Sequence, residues 1–537
     1  MTRMLSALLG ALAALAPVAL QAQAPALPHL ASANGRHALI VDGAPFLMLG
    51  AQAHNSSNYP SMLPKVWHLI GDLHANTLEI PIAWEQIEPQ EGRFDFSYVD
   101  TLIAQARANN VRLVPLWFGT WKNTNPNYTP EWVKSDTKRF PRSVKKDGKT
   151  HYTLSPHSRS SLEADKRAFV ALMRHIREVD PQHTVIMMQV ENETGSYGSP
   201  RDFSPAAQRL FAQAIPAELA RRVGKSGTWA QAFGVLADQA FNAWYIGRYV
   251  DEIAAAGQAE LNLPMYVNAA LSDPFKAEDA VNGASGGPNW NVIDIWKVAA
   301  PHIALEAPDI YNRDEKAYAA YLDHYARPDN ALFNPETGND AAYARFLWLA
   351  LGKGSIGFSP FGMDVTGYSN FPLGARQLDS ETLAAFASKY ALLAPIARDW
   401  ARLAFEHPTL GFAKPNDGAD QSGVLGRWKV SALYGMWEFG EREWTWIDVP
   451  PNPKKDQPVG GAALIQLAPD EFLLAGSDIR IRFAPVNGDN AQFLDVEEGT
   501  FENGRWVMSR RWNGDQTDYG LNLTVPTLLK VRMGTYR

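Results

Sequence analysis

Between about Pro45 and Phe358 the chain alternates short apolar runs with longer amphipathic stretches, and few folds accommodate that rhythm. The strand-like runs are PFLMLGA from Pro45, NTLEIPIA from Asn76, VRLVPLWF from Val111 and TVIMMQV from Thr184. LPMYVNAA from Leu263, HIALEAPDIY from His302, ALFNPE from Ala331 and GSIGFSP from Gly354 complete the set. A helical pattern is clearest over 162–179, where Phe169, Val170, Leu172, Met173 and Ile176 repeat beside Arg174, Arg177 and Glu178. Eight strands with intervening helices predict an α/β chain built on a (β/α)8 TIM barrel with extended loops. The competing architecture is a doubly wound open sheet, but no glycine-rich phosphate loop follows the first strand.

After a helical stretch over 391–405 the texture changes to short alternating runs with turn signals between them. Ile479, Ile481 and Phe483 alternate with Arg480 and Arg482, and Leu521, Leu523 and Val525 alternate near the end. Asn503-Gly504 between two strand-like runs is a hairpin signal. The expected organisation is a barrel over 25–402 followed by a smaller all-β sandwich over 403–537, with PPNPKKDQPVGG from Pro450 as a loop inside the latter. Residues 1–24 read as a secretory signal: Arg3, an apolar stretch from Leu5 to Leu20, then small residues around Ala22 and Ala24. An exported protein, periplasmic or extracellular in a bacterium and without a membrane anchor, is the corresponding expectation.

Composition narrows the chemistry. With no cysteine, the chain has no disulfide, thiolate metal site or cysteine nucleophile. A net charge of -7 spread along the chain includes no basic stripe for nucleic acid and no lysine-rich face for a membrane. The 12 histidines show no HExxH-like spacing, so neither a metal nor another cofactor is expected. GASGG at 283–287 superficially suggests a serine elbow, but it lacks the strand–turn–helix setting that exposes such a nucleophile. The 17 Trp, 18 Tyr and 24 Phe suit flat, partly apolar ligands such as sugar rings, although a large core also uses them.

In a barrel the reacting groups sit where strands end. The fourth strand ends in QVENETGSYG, which brings Glu191, Asn192 and Glu193 to that rim, and the seventh ends in ALFNPETG, which brings Glu336 there. Two carboxyls across the barrel mouth are what glycosidic hydrolysis needs, one to protonate the leaving oxygen and one to attack the anomeric carbon. Strand alternation leaves Glu191 and Glu193 as equal candidates, since both share parity with Gln189.

Together PFLMLGAQAHNSSNYP, NTLEIPIAWEQIEPQEGRFDF, QVENETGSYG, NGASGGPNW and LFNPETG resemble glycoside hydrolase family 35 β-galactosidases, in the bacterial branch with a compact C-terminal sandwich. The resemblance implies a retaining clan in which the glutamate after asparagine on strand four is the acid/base and a glutamate ending strand seven is the nucleophile. Those positions are Glu193 and Glu336. It further implies that Asn192 holds the sugar 2-hydroxyl and that Tyr311 hydrogen-bonds the nucleophile. Trp121 and Asn123 stand where the family contacts galactose, and Trp290 stands as a ring platform. Two departures matter: Thr194 replaces a tyrosine of the family's ENEYG, and Glu85 in WEQIEP takes the place of an asparagine as a substrate contact, while Glu88 braces the same loop.

The activity so implied is exo-acting retaining β-galactosidase on oligo- or polysaccharides, with a carbohydrate as the only expected partner. The alternatives are a retaining glycosidase for another sugar and a catalytically silent carbohydrate-binding protein. A raised pKa is expected at Glu193, chiefly from the charge of Glu336.

Overall fold

The computed structural model describes residues 26–278, 283–435 and 453–537. The signal reading over 1–24 lies outside them, as do the first residues of the loop expected from Pro450. Eight parallel strands close in chain order into a barrel: β1 (Met48–Gln52), β2 (Thr77–Ala83), β3 (Arg112–Lys122), β4 (Met188–Asn192), β5 (Met265–Ala270), β6 (Leu305–Ile310), β7 (Asn334–Thr337) and β8 (Gly357–Pro360). Each expected apolar run overlaps one of them. Closure of β8 on β1 removes the free edges that a doubly wound sheet would retain.

Alternation along each strand divides its side chains between two cores. Along β3, Val114, Leu116 and Phe118 point inward and cluster with Met48, Tyr266, Leu305 and Phe333. The N-terminal strands Arg36–Val41 and Ala44–Phe46 contribute Leu39, Val41 and Phe46 to the same cluster, which fills one end of the barrel. Leu113 and Trp117 point outward to the helix layer, as do Leu78, Ile80 and Ile82 of β2. The predicted amphipathic stretch forms the helix Arg159–Val179, capped where the Ser158 side chain accepts from the Ser161 N–H. Its Phe169, Leu172, Met173 and Ile176 are buried.

The last helix ends at Glu406, and the first strand of the C-terminal region starts at Thr409. Antiparallel sheets of six and four strands follow. One face of the larger sheet (Leu464, Phe472, Leu474, Leu529) packs on the smaller sheet's Trp428, Val430, Ile481 and Leu523. Its other face (Ala463, Ile465, Leu473, Ala475) joins the barrel's outer core, so the strands Gly461–Ala468 and Glu471–Ser477 are buried on both sides. Asn503 and Gly504 both adopt positive φ, 51° and 75°, between Asn490–Glu502 and Arg505–Arg511, as a two-residue hairpin turn requires.

Contact between barrel and sandwich is closest at two glycines. A methyl group on Gly352 would lie 2.1 Å from the Gly411 backbone, because the helix Phe346–Gly352 lies against the strand Thr409–Ala413. Gly352→Ala should therefore force the two layers apart and cost about 1–3 kcal/mol, as overpacking of a close contact does. Scanning calorimetry would register that as a lower unfolding midpoint, and an unchanged midpoint would show that the interface yields.

Candidate active site

The end of β4 decides which glutamate reaches the barrel mouth. Glu191 and Glu193 both take positive φ, 64° and 43°, so simple alternation stops there. The Glu191 carboxylate turns into the protein and accepts the backbone N–H groups of Thr120 (3.1 Å) and Trp121 (2.7 Å). Beside it Asp165 accepts from Thr120 N (2.7 Å) and Trp117 Nε1 (2.8 Å). Burial first, and the Asp165 charge second, push the Glu191 carboxyl well above its ordinary value, and the pair braces β3 through the Thr120 and Trp121 N–H groups. Gly119 is required there, since a Cβ would sit 2.6 Å from Asp165 Oδ2 and 2.7 Å from Glu191 Oε1. Glu191 is a brace.

Glu193 faces a cavity of about 1180 Å3 at the mouth of the barrel, shared with Glu336 from β7 and Asp309 from β6. Carboxylate oxygens of these three residues lie within 4.8 Å of one another. The Tyr311 hydroxyl donates to Glu336 Oε1 at 2.5 Å, while Oε2 is buried with no protein partner. The Glu193 backbone N–H donates to Asn268 Oδ1 at 2.9 Å, which holds the irregular strand end in place. Its carboxyl is pushed up to about 7, by burial first and by the Glu336 charge second, with Lys122 pulling the other way. The sequence expectation ranked the Glu336 charge first; enclosure of the side chain is the larger cause. Among the described residues these three carboxylates are the only group near enough together to ligate a cation.

The remaining expected contacts divide. Asn123 and Tyr311 line the cavity. Asn192 Oδ1 accepts from Lys122 Nζ at 2.8 Å, and its Nδ2 is buried without a protein partner. Trp121 is turned away: it shares the parity of the outward-pointing Trp117, and its ring lies in the helix layer against Tyr249, with Nε1 donating to Thr153. Trp290 stacks on His324 at 4.1 Å and donates to the Asp273 carbonyl, so its ring does not form the cavity wall. Glu85 pairs with Lys134 at 2.9 Å, outside the lining. Glu88 braces its loop through Trp84 Nε1 and Gly92 N. Thr194 is buried, and its carbonyl lies where a Cβ on Gly287 would come within 2.3 Å, so the glycine loop packs directly on the loop that carries Glu193. Ser285 in that loop is buried and donates to the Pro200 carbonyl, which is no setting for a nucleophile.

Three charged or titratable cavity residues that the sequence reading did not single out stand close to the carboxyls or shape the wall beside them. Asp309 lies two residues before Tyr311 at a strand end, the same signal that marked Glu193 and Glu336. Lys122 closes β3 and bridges Asn192 and Asn123. His54, after β1, is held by Asp364 through Nδ1 (2.9 Å) and by Asn370 through Nε2 (3.0 Å). Burial pushes the Asp364 carboxyl up, yet hydrogen bonds from His54, Thr366 and Ser57 outweigh it and hold Asp364 well below its ordinary value. The sandwich also bears on this rim. Arg345 donates to the carbonyls of Pro458 (2.9 Å) and Arg313 (2.8 Å), and Arg313 donates to the Pro372 carbonyl on the cavity wall (2.9 Å).

Comparison with known proteins bears on two segments. Residues 62–244 match the family model for glycoside hydrolase family 42, described as beta-galactosidase. Residues 386–524 match a family described as a domain of unknown function, DUF5597. No curated protein matches the chain. Solved structures similar to it include the β-galactosidase from Bacillus circulans sp. alkalophilus, at 12% identity and TM-score 0.47, over 66% of this chain and 57% of that one. The β-galactosidase from the psychrophilic Marinomonas ef1 is 11% identical with TM-score 0.49, over 67% and 62%. That from Rahnella sp. R3 is 15% identical with TM-score 0.47, over 68% and 61%. The chain thus spans about three fifths of the length of these solved relatives. Among the described residues no helix is long and apolar enough to cross a membrane. The barrel segment over 62–244, which includes Glu193 but not Glu336, is therefore similar to a β-galactosidase family model, and the C-terminal region to a family with no assigned function.

Proposed function

We propose that this chain is a glycoside hydrolase that releases terminal β-galactosyl residues from oligo- or polysaccharides with retention of configuration. One observation carries the reading: carboxylate oxygens of Glu193 and Glu336 lie within 4.8 Å of each other in one cavity. Retaining enzymes set their two carboxyls about 5–5.5 Å apart, whereas inverting enzymes need about 6.5–9.5 Å to admit a water. Support for galactose comes from the matched β-galactosidase family model over 62–244 and from the family 35 motifs. A chain-end mode of attack accords with loops on either side of the cavity, 54–62 and 361–373.

In this reading Glu193, protonated at neutral pH, gives its proton to the glycosidic oxygen while Glu336 attacks the anomeric carbon. The Tyr311 hydroxyl donates to Glu336 Oε1 and orients it. Asn192, expected to hold the sugar 2-hydroxyl, is fully buried and does not line the cavity; its Oδ1 fixes Lys122, which does. Water then transfers a proton to Glu193 and displaces Glu336 from the sugar. The apolar start at 5–20 favours export to a periplasm or beyond.

A panel of nitrophenyl glycosides, with the first-formed product anomer read by NMR, tests the proposal. The β-galactoside is expected to be the best substrate and to give β-galactose first. First-formed α-sugar would exclude retention, a better gluco- or arabinoside would change the sugar, and binding without hydrolysis would leave a silent binding protein.

A further inference from the structure

The cavity holds three carboxyl groups where the double displacement uses two. Asp309 lies on β6, is 3% exposed, and has oxygens within the same 4.8 Å cluster as Glu193 and Glu336. Its two oxygens are not equivalent. Asn268 on β5 accepts the Glu193 backbone N–H at its Oδ1 (2.9 Å) and donates from Nδ2 to Asp309 Oδ2 (2.6 Å). A backbone N–H can only donate, so the orientation of the Asn268 amide follows, and with it Oδ2 as the accepting oxygen. Asp309 Oδ1 is left buried without an acceptor's partner. The Glu193 carboxyl lies within 4.8 Å of this group, and two carboxyls that close in to a hydrogen bond do so only if one carries a proton.

Charge balance assigns that proton. The groups facing Asp309 are Lys122 on β3, Glu193 on β4, Tyr266 on β5, Glu336 on β7, Tyr311 just beyond β6, and Tyr325 on the helix Glu315–Tyr325. Lys122, shared between Asn192 and Asn123, is the cation among them and balances one carboxylate, which nucleophilic attack requires to be Glu336. The other two carboxyls are then neutral in the resting state. Burial, followed by the charges of Glu336 and Glu193, pushes Asp309 well above the carboxylate range, in accord with that balance.

We propose that Asp309 is a neutral positioning residue whose O–H donates to the Glu193 carboxylate formed when the acid has delivered its proton. This rests on the reading of Glu193 as the acid. As the glycosidic C–O bond breaks, its electron pair stays on the oxygen, which takes the Glu193 proton. Glu193 becomes an anion in an enclosed site while Glu336 becomes a neutral ester. The Asp309 hydroxyl stabilises that anion and keeps its own proton through both half-reactions, and Glu193 recovers a proton from the attacking water.

The test compares Asp309→Asn with Asp309→Ala through the pH dependence of kcat/KM. Asparagine retains a neutral donor, so the basic limb should stay close to that of the unaltered protein. Alanine removes the donor without removing a charge, so the limb should move up by about one pH unit. The Ala variant should also lose more rate, by several-fold, on a phenyl than on a dinitrophenyl galactoside, because only the former needs a strong acid. A downward shift in both variants would mean that Asp309 is ionised and props up Glu193 by its charge, and this would overturn the proposal. No shift in either would overturn it too. Infrared difference spectra at neutral pH provide a readout that does not depend on turnover or on Ala folding: the carbonyl band of one protonated carboxylic acid should disappear in Asp309→Asn. Survival of that band rejects a neutral Asp309. A basic limb that persists in Glu193→Ala would instead reject the acid/base reading itself, leaving the infrared result to stand alone.

Discussion

Replacing Glu336 with glycine is expected to lower turnover of a nitrophenyl β-galactoside by on the order of 10^5-fold, as loss of a nucleophile does. That is about 7 kcal/mol of transition-state stabilisation, far more than the loss of one hydrogen bond or a packing contact could produce. Glycine also vacates space on the face of the sugar from which Glu336 attacks. Azide placed there should restore turnover and yield the α-galactosyl azide, inverted relative to the substrate. A mutant with undiminished rate, or rescue that produces the β-azide, would remove Glu336 from that role. Tyr311, which donates to Glu336 at 2.5 Å, should remain in place in this variant, so a collapsed site is separable by its structure.

Glu193→Ala is expected to divide substrates by leaving group. General acid assistance contributes about 10^2–10^4-fold, and only where the departing oxygen is basic. A phenyl galactoside should therefore lose most of that range. A dinitrophenyl galactoside should form the glycosyl-enzyme at nearly the normal rate and then accumulate it, so that kcat and KM fall together. Azide should here give the β-galactosyl azide, opposite to the Glu336 variant, since it enters from the face that water normally uses. The sign of the pH dependence follows from the same residue. Glu193 works only while protonated and its carboxyl lies at about 7, so kcat/KM of the unaltered protein should fall as pH rises through that value. In the alanine variant that basic limb should vanish. Equal losses on both leaving groups would show that Glu193 is not the acid.

Much of this architecture is visible in local pattern. The runs from Pro45 to Phe358 became eight barrel strands because burial on both faces demands apolar residues at consecutive positions, and nothing distant is needed to see that. The Asn503-Gly504 turn was equally legible, since few other pairs tolerate two positive φ angles. The site was legible only in part. Tyr311 reaches Glu336 as the motif resemblance implies. Trp290 could not be aimed from sequence, since it is captured by His324 on another helix. Trp121 and Lys122 take the directions that alternation along β3 gives them, outward with Trp117 and inward with Phe118, so parity contradicted the motif resemblance at Trp121. Asp309 gave the same strand-end signal as the two glutamates without a motif to draw attention to it.

By itself the amino-acid sequence determined the barrel, the sandwich, and the strand ends that bear Glu193 and Glu336, because periodic burial and turn chemistry are properties of neighbouring residues. Strand pattern left Glu191 and Glu193 equal and the motif resemblance picked Glu193; the tertiary structure shows why, by turning Glu191 into the protein, and it alone revealed that a third carboxyl joins the pair. It also raises the carboxyls of Glu193 and Asp309, by burial first and by the Glu336 charge second. Those outcomes depend on enclosure and on charges brought in by β3, β6 and β7, strands far apart in the chain, and no local pattern encodes the field that they create together.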